Sequence, residues 1–184
     1  MNFLNNSEIV ILDWIQEHFK CDFLDLVMPL ISAMADLGAV WIILAVVLIC
    51  FKKTRRTGLT VGLSLIMSLL AGNLILKPLF ARIRPYDINT DVVLLTRRFT
   101  DYSFPSGHTL ASFCAAGSLM FTDRRIGYPA LVIAILIALS RLYLYVHYPT
   151  DVAASIILGL CFAYISYRLV CCLNRKADKD VIAH

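Results

Sequence analysis

Residues 126–146 read IGYPALVIAILIALSRLYLYV, an apolar segment long enough to cross a membrane as one helix. Arg141 falls near the end of this segment, and His147 and Asp151 follow directly in the run HYPTD at residues 147–151. Ionisable groups at such a depth are costly, so they usually line a bundle interior or a wet cavity and mark a functional path. The segment therefore predicts a helical membrane protein with a polar site at one membrane surface.

The composition of the whole chain agrees with this prediction. The 184 residues are 59% hydrophobic and 16% charged, and the mean hydropathy is +0.75. Such a chain is too apolar for a soluble domain and has room for several spans. We expect a single all-α domain over residues 1–184, a polytopic integral membrane helix bundle. The net charge of +4 is concentrated in short loops. This distribution is typical of basic residues that orient a membrane protein, and we expect no nucleic-acid partner.

Five apolar segments are the predicted spans, and they cover residues 39–51, 59–76, 107–122, 126–146 and 152–170. Residues 7–19 mix apolar and charged side chains with helical spacing, which predicts an amphipathic helix at the membrane interface. Residues 21–37 either cross as a sixth span or lie in the interface. We therefore expect interfacial helices over residues 1–37, a core bundle over 39–170 and a cytoplasmic tail over 171–184.

The distribution of basic residues predicts the orientation of the bundle. In a five-span arrangement, one face carries Lys52, Lys53, Arg55, Arg56, Arg124, Arg125, Arg175, Lys176 and Lys179. The positive-inside rule places this face in the cytoplasm. The loop of residues 77–104 and the turn at 145–151 are then expected on the opposite face.

Two further polar clusters are predicted on that opposite face. In the first, Lys77 and Arg84 are seven residues apart, and if a helix continues through Pro78 both cations share one face about 10 Å apart. Such a pair could grip a phosphate, and the alternative interpretation is a pair of interfacial cations next to a span.

The second cluster is the run PSGH at residues 105–108. Proline, serine and glycine at a helix start leave backbone N–H groups exposed at the positive end of the helix dipole, which favours an oxyanion. Gly107 permits close approach of an anion, Ser106 adds a hydroxyl donor and His108 adds a group that titrates near neutral pH. A capped helix start with an interfacial histidine is the alternative.

The pair His147 and Asp151 has a clear chemical use. A carboxylate that accepts a hydrogen bond from one ring nitrogen fixes the tautomer and leaves the other nitrogen as a nucleophile or base. An aspartate that caps a helix near an unrelated histidine is the alternative. Because all three clusters lie on one side and suit phosphate, we favour a single phosphate site.

The pattern Lys77-x6-Arg84-Pro85, Pro105-Ser106-Gly107-His108 and Ser140-Arg141-x5-His147-x3-Asp151 resembles the three-part signature of the type 2 phosphatidic acid phosphatase family. The resemblance implies an all-helical bundle and a lipid phosphatase that needs no metal or other cofactor. For small bacterial members it implies undecaprenyl diphosphate, phosphatidic acid or phosphatidylglycerophosphate as the substrate. It also implies a multi-pass protein of the bacterial inner membrane, with the active site on the extracytoplasmic face.

The resemblance further implies roles for single residues. His147 is the expected nucleophile that forms a phosphohistidine, Asp151 orients it, and His108 protonates the leaving alcohol. The implied phosphate-binding residues are Lys77, Arg84, Ser106, Gly107 and Arg141. Tyr145 stands where related sequences often have glycine, and we expect it to narrow the lipid entrance. The alternative from another class is a catalytically idle lipid-binding or scaffold protein, although retention of both histidines and the aspartate argues against it. The oligomeric state stays open.

Overall fold

The computed structural model describes the backbone of residues 2–182 and the side chains of residues 7–36 and 38–174, and this part of the chain is mostly helical and contains no strand. The helices are α1 Asn2–Phe19, α2 Asp22–Met34, α3 Ala39–Cys50, α4 Arg55–Met67, α5 Lys77–Phe80, α6 Pro85–Ile88, α7 Gly107–Thr122, α8 Arg124–Tyr143 and α9 Pro149–Ile182. A 3-10 turn, Asp36–Gly38, joins α2 to α3, and a π-helical segment, Ser68–Leu76, joins α4 to α5. The predicted all-α class is confirmed. The basic residues of the predicted tail, Arg175, Lys176 and Lys179, lie outside the described side chains.

Helix α7 occupies the centre of the bundle, where it packs along α8 and α9 and also contacts α4. Its buried residues include a run of small ones, namely Ser112, Cys114, Ala115, Ala116, Gly117 and Ser118. Small side chains let helix backbones approach closely in membrane proteins. A Cβ atom at Gly117 would lie only 2.9 Å from the Cβ of Ala163 in α9, which shows how close this crossing is. The bounds of α7 agree with the apolar segment at residues 107–122.

Three helical runs are long and apolar enough to cross a membrane within the described residues, and these are Arg55–Ile88, Arg124–Tyr143 and Pro149–Asn174. Helices α2 and α3 together form a fourth candidate, bent by 44° where they meet. Helix α7 has 16 residues, fewer than the roughly 20 that a straight span needs, although it lies at the centre of the bundle. Three to four candidate spans are therefore established, and the count of five stays a prediction.

Helix α1 packs one face against the bundle. Leu12 is fully buried, whereas Val10 and Trp14 are exposed, and the helix contacts α8 and α9. This two-sided character agrees with the mixed sequence of residues 7–19. Its location at a membrane interface stays a prediction.

Helix α8 ends three residues before the predicted segment does. The chain turns after Tyr143, and Tyr145 has a left-handed φ of 60°. Hydrogen bonds from Tyr145 N to Leu142 O, at 3.0 Å, and from Val146 N to Arg141 O, at 3.3 Å, close this turn. Because the turn ends the helix early, His147 lies in a loop immediately before α9.

The condition under which Lys77 and Arg84 would share one helix face, a helix that continues between them, is not met. Helix α5 ends at Phe80, and Ala81 follows with a left-handed φ of 42°. Arg84 has an extended backbone, with φ −75° and ψ 153°, because proline at position 85 disfavours the helical conformation of the residue before it. The proximity of Lys77 and Arg84 therefore does not come from a shared helix face.

Candidate active site

A cavity of about 540 Å³ lies at the end of the bundle where α7 begins. Its head is polar and is lined by Asn73, Lys77, Arg84, Arg97, Asp101, Gly107, His108, Arg141 and His147. The cavity continues as an apolar groove between α3 and α4, lined by Ile42, Ala45, Val46, Ile49, Gly62, Leu65, Ile66 and Leu69. Val46, Ile66 and Leu69 are each about half exposed, so the groove opens to the apolar surface of the protein. The arrangement suits a ligand with an anionic head and a hydrocarbon tail.

Arg141 is the most deeply buried cation of this head, with none of its surface exposed. One terminal nitrogen, Nη1, donates to the hydroxyl of Ser32 in α2, whereas Nε and Nη2 have no hydrogen-bond partner among the residues that the structure describes. Buried donors without an acceptor are costly, and such groups call for a specific explanation. An anion bound at the head of the cavity would supply the missing acceptors. Arg141 thus lines the same cavity as Lys77, Arg84 and His147, and its role as a phosphate ligand stays a prediction.

Lys77 and Arg84 meet at the carboxylate of Asp101. Lys77 Nζ donates to Asp101 Oδ2, and Arg84 Nη2 lies 2.5 Å from Oδ1 while Arg84 Nε donates to the backbone oxygen at 2.9 Å. Burial by itself would raise the pKa of Asp101, but the hydrogen bond from Lys77 and the charge of Arg84 lower it to about 2. Asp101 is therefore an ionised acceptor between the two cations. The sequence did not single out Asp101, because it lies in a polar loop that has no helical spacing.

His147 lies in the turn between α8 and α9 and is almost completely buried. Its Nε2 is 3.4 Å from Arg84 Nη1, and its Nδ1 is 3.6 Å from Asp151 Oδ2 and 3.4 Å from the hydroxyl of Ser103. Burial, and then the positive charge of Arg84, lower the pKa of His147 well below its usual value. The imidazole is consequently neutral at pH 7, with Nε2 on the side of the cations.

Asp151 is fully buried at the first turn of α9, and both of its oxygens are hydrogen-bonded. Oδ2 accepts from the hydroxyl of Ser103 at 2.5 Å and from the backbone N–H of Tyr148 at 3.0 Å. Oδ1 accepts from Arg82 Nη1 at 2.5 Å. Sequence analysis had paired Asp151 with His147 alone. Ser103 and Arg82 lie outside the signature positions, so the signature did not indicate them.

His108 is the second residue of α7 and lines the cavity. Its Nε2 is 2.8 Å from Asp36 Oδ1, and the other oxygen of Asp36 is 3.7 Å from Arg97 Nη2. The carboxylate fixes the orientation of the ring. Asp36 was visible in the sequence as a carboxylate beside an apolar segment, but only the packing of the 3-10 turn and of α3 against α7 brings it to His108.

Of the remaining predicted residues, Gly107 lies at the cavity and Ser106 does not. Gly107 lines the cavity, and a Cβ atom there would lie 3.9 Å from Lys77 Nζ. Ser106 is fully buried and its hydroxyl is 2.9 Å from that of Thr109, so it is not turned towards the cavity. The side chains that the structure describes include no group of three or more His, Cys, Asp or Glu placed to hold a metal ion.

Tyr145 does not lie at the cavity, contrary to the expectation that it narrows a lipid entrance. Its left-handed backbone directs the ring towards α1, where the hydroxyl donates to Asp13 at 2.6 Å and accepts from Asn89 at 3.2 Å. Burial and the hydrogen bond to Asp13 raise the pKa of the phenol. Tyr145 therefore stabilises the turn before His147 from the side that faces α1.

The apolar helices and their arrangement define a multi-pass membrane protein. Residues 57–173 match the model of the PAP2 superfamily, and the chain belongs to this family, as the signature predicted. The chain is 34% identical over 131 residues to an undecaprenyl-diphosphatase of Sulfolobus acidocaldarius, a match covering 71% of this chain and 63% of that relative. It is also 30% identical over 145 residues to the undecaprenyl-diphosphatase BcrC of Bacillus subtilis, covering 79% and 74% of the two chains. The match to the first relative thus spans less than two thirds of its length.

Solved structures of the same family share the fold. A transmembrane PAP2-type phosphatidylglycerolphosphate phosphatase of Bacillus subtilis superposes with a TM-score of 0.73 at 26% identity, covering 96% of this chain and 88% of the other. LpxE of Aquifex aeolicus superposes with a TM-score of 0.76 at 26% identity, covering 86% and 93%. The helical bundle described above is therefore a PAP2 membrane fold.

Proposed function

We propose that this protein is a membrane lipid phosphatase that hydrolyses a lipid phosphate or diphosphate through a phosphohistidine on His147. The observation that carries the proposal is the pair of unpaired donors on buried Arg141, beside His147, at the head of an apolar groove. A ligand that fits both the cationic head and the apolar groove carries a phosphate at one end and a hydrocarbon chain at the other. Deep clefts of this kind, mostly apolar with a few convergent polar groups, are typical of ligand sites.

The chemical step begins at His147 Nε2. This nitrogen attacks phosphorus, so that an N–P bond forms while the P–O bond to the lipid breaks, and His108 gives a proton to the departing oxygen. Asp151 faces Nδ1 and keeps the attacking nitrogen on the side of the cations. His108 then takes a proton from water, which attacks the phosphohistidine and releases inorganic phosphate.

The electrostatic part of catalysis falls to Lys77, Arg84 and Arg141, together with the backbone N–H of Gly107. Phosphoryl transfer needs mainly positioning and stabilisation of charge on the phosphoryl oxygens, and fixed cations and helix N-terminal N–H groups supply both. In this proposal no metal ion takes part. Ser106 contributes by holding the start of α7 through its hydrogen bond with Thr109.

Undecaprenyl diphosphate is the substrate that we propose first. Two relatives with this named activity support it, and the groove between α3 and α4 accepts a long apolar chain. The named activity of the structural relative from Bacillus subtilis keeps phosphatidylglycerophosphate as a competing substrate, and phosphatidic acid is the other alternative.

We also propose a single domain with five spans in a bacterial inner membrane, formed by α2 with α3, the run Arg55–Ile88, α7, α8 and α9. The basic residues near Lys53 and Arg124 face the cytoplasm, and the active site faces the opposite side. A lipid carrier that is recycled outside the cytoplasm would meet the site on that face.

The test measures phosphate release by detergent-purified protein from undecaprenyl diphosphate, phosphatidic acid and phosphatidylglycerophosphate in excess chelator. We expect turnover that is unaffected by the chelator and fastest on undecaprenyl diphosphate. His147→Ala is expected to abolish turnover, whereas His108→Asn is expected to slow it severely and to accumulate an acid-labile phosphohistidine.

Three outcomes would contradict parts of this proposal. Normal turnover by His147→Ala would exclude this residue as the nucleophile. Activity that is lost with chelator and restored by a divalent ion would exclude the metal-free mechanism. No phosphate release from any lipid phosphate, by protein that still binds inorganic phosphate, would exclude the enzyme activity itself.

A further inference from the structure

Arg82 belongs to the polar segment after α5, yet it does not extend into the cavity as Lys77 and Arg84 do. Its Nη1 lies 2.5 Å from Asp151 Oδ1 and 2.8 Å from the hydroxyl of Thr150, and its guanidinium lies 3.8 Å from the centre of the Tyr148 ring. Arg82 thus contacts the turn that carries His147 from the side away from the phosphate position. It supplies the positive charge that a fully buried carboxylate requires.

Glu8 of α1 completes this ion pair from the other side. It is a buried carboxylate whose Oε2 accepts from Arg82 Nη2 and whose Oε1 accepts from the backbone N–H of Thr150 at 2.7 Å. One carboxylate therefore holds both the guanidinium and the N-terminal turn of α9. Removing one partner of a buried ion pair leaves an uncompensated charge, so the three groups depend on one another.

Helix α1 contacts the same turn at two further points. The hydroxyl of Tyr145 donates to Asp13, and Gln16 Nε2 donates to the backbone oxygen of Tyr143 at 2.5 Å. Glu8, Asp13 and Gln16 thus bond along the whole segment between α8 and α9. The family match begins only at residue 57, so these three residues lie outside it.

We propose that Glu8 is a positioning residue for catalysis, which acts through Arg82 to hold Asp151 and thereby sets the orientation of the nucleophile His147. This inference rests on the proposed phosphatase activity. Glu8 does not touch the substrate, because Arg82 and the α9 backbone separate it from the cavity. Its removal should therefore impair the chemical step more than the binding of phosphate or lipid.

The experiment compares Glu8→Gln with wild-type protein in phosphate release from undecaprenyl diphosphate and in inhibition by inorganic phosphate. Because a misplaced reacting group costs up to about 100-fold in rate, we expect kcat to fall about 10-fold while KM and the inhibition constant for phosphate change less than about twofold. Glu17→Gln is the matched control, since Glu17 lies in the same helix and is exposed, and it should behave as wild type.

A double-mutant cycle tests whether Glu8 acts through Arg82. If it does, Glu8→Gln combined with Arg82→Gln lowers kcat no further than Arg82→Gln alone, whereas independent roles would multiply. Multiplied effects, an unchanged kcat in Glu8→Gln, or a parallel loss of phosphate inhibition would each overturn the inference. An inactive wild-type protein would instead reject the proposed function, so the two failures are distinguishable.

Discussion

Asp101 lies where a substrate phosphate would bind Lys77 and Arg84, so the site without substrate already holds an anion. The carboxylate is about half exposed, which means that it can leave the two cations at modest cost. A phosphate that enters must displace it. Asp101 therefore acts as a competitor for the cationic head.

This position leads to a prediction for Asp101→Asn. The amide carries no charge, so Lys77 and Arg84 become more available, and we expect the inhibition constant for inorganic phosphate to fall about fivefold, equivalent to about 1 kcal/mol. Because the pKa of Asp101 is about 2, the carboxylate stays ionised at working pH, and the ratio of the two inhibition constants should be the same at about pH 6 and pH 8. Its ion pairs are lost only when the pH falls towards 2.

The control for this measurement is Asp87→Asn. Asp87 also pairs with an arginine, Arg98, at 3.5 Å, but it lies outside the cavity lining. Its replacement should leave phosphate inhibition unchanged. A weaker inhibition in Asp101→Asn would contradict the prediction, because it would mean that Asp101 holds the cations in place for phosphate.

For single residues, the sequence identified the signature positions of the site but not the side chains that contact them. The spacing of charged residues around span ends brought His147, Arg141 and His108 to attention, because charge is costly there. Glu8 and Ser103 carry no such signal, and the position of Asp36 beside an apolar segment did not indicate His108 as its partner. They reach the site from distant positions through helix packing and loop paths, which no local pattern encodes.

The groove between α3 and α4 sets how the tail of a lipid would lie against the protein. Gly62 faces this groove, and a Cβ atom at this position would meet nothing within 4 Å. A side chain added at this position therefore starts in open space and extends into the groove, and replacing glycine within a helix removes its unfavourable helix propensity.

We therefore predict that Gly62→Leu discriminates between substrates by their tails. It should lower kcat/KM for a long-chain lipid phosphate about 10-fold, while a water-soluble phosphate monoester changes less than about twofold. Leu59→Phe, on an exposed face of α4 outside the groove, is the matched control. An equal loss on both substrates, or no loss on either, would show that the tail lies elsewhere.

The helices were predicted well where hydropathy alone determines their bounds. The apolar segment at residues 107–122 coincides with α7, whereas the supposed helix from Lys77 to Arg84 breaks after Phe80. The helix ends where Ala81 adopts a left-handed φ of 42°, and Pro85 then keeps Arg84 out of the helical conformation, so the two cations do not share a helix face. The π-helical segment Ser68–Leu76 gave no sequence signal, because its residues also suit an α-helix.

The basic loops and the candidate active site lie at opposite ends of the helices. Arg124 begins α8 and Arg141 lies near its end, a separation of about 26 Å at 1.5 Å per residue, which is close to the hydrocarbon thickness of a bilayer. In the proposed orientation, the basic residues at one end and the candidate active site at the other lie on opposite sides of a membrane.

This geometry predicts which positions an impermeant thiol reagent reaches in intact cells. In a variant whose six cysteines are replaced, Asp91→Cys should be labelled from outside, whereas Lys53→Cys should be labelled only after the membrane is permeabilised. Both positions are exposed, so accessibility within the protein does not limit either reaction. Labelling of Lys53→Cys in intact cells would reverse the proposed orientation.

The bond between Glu8 and Thr150 joins residues 142 positions apart in a chain of 184. During synthesis Glu8 is made well before its partner Thr150 on α9. This bond can therefore hold the turn that carries His147 only after α9 has packed against the bundle. A chain that stops before α9 contains Lys77, Arg84 and Arg141 but lacks this support for His147, so in the proposed mechanism enzyme activity reports that α9 has assembled.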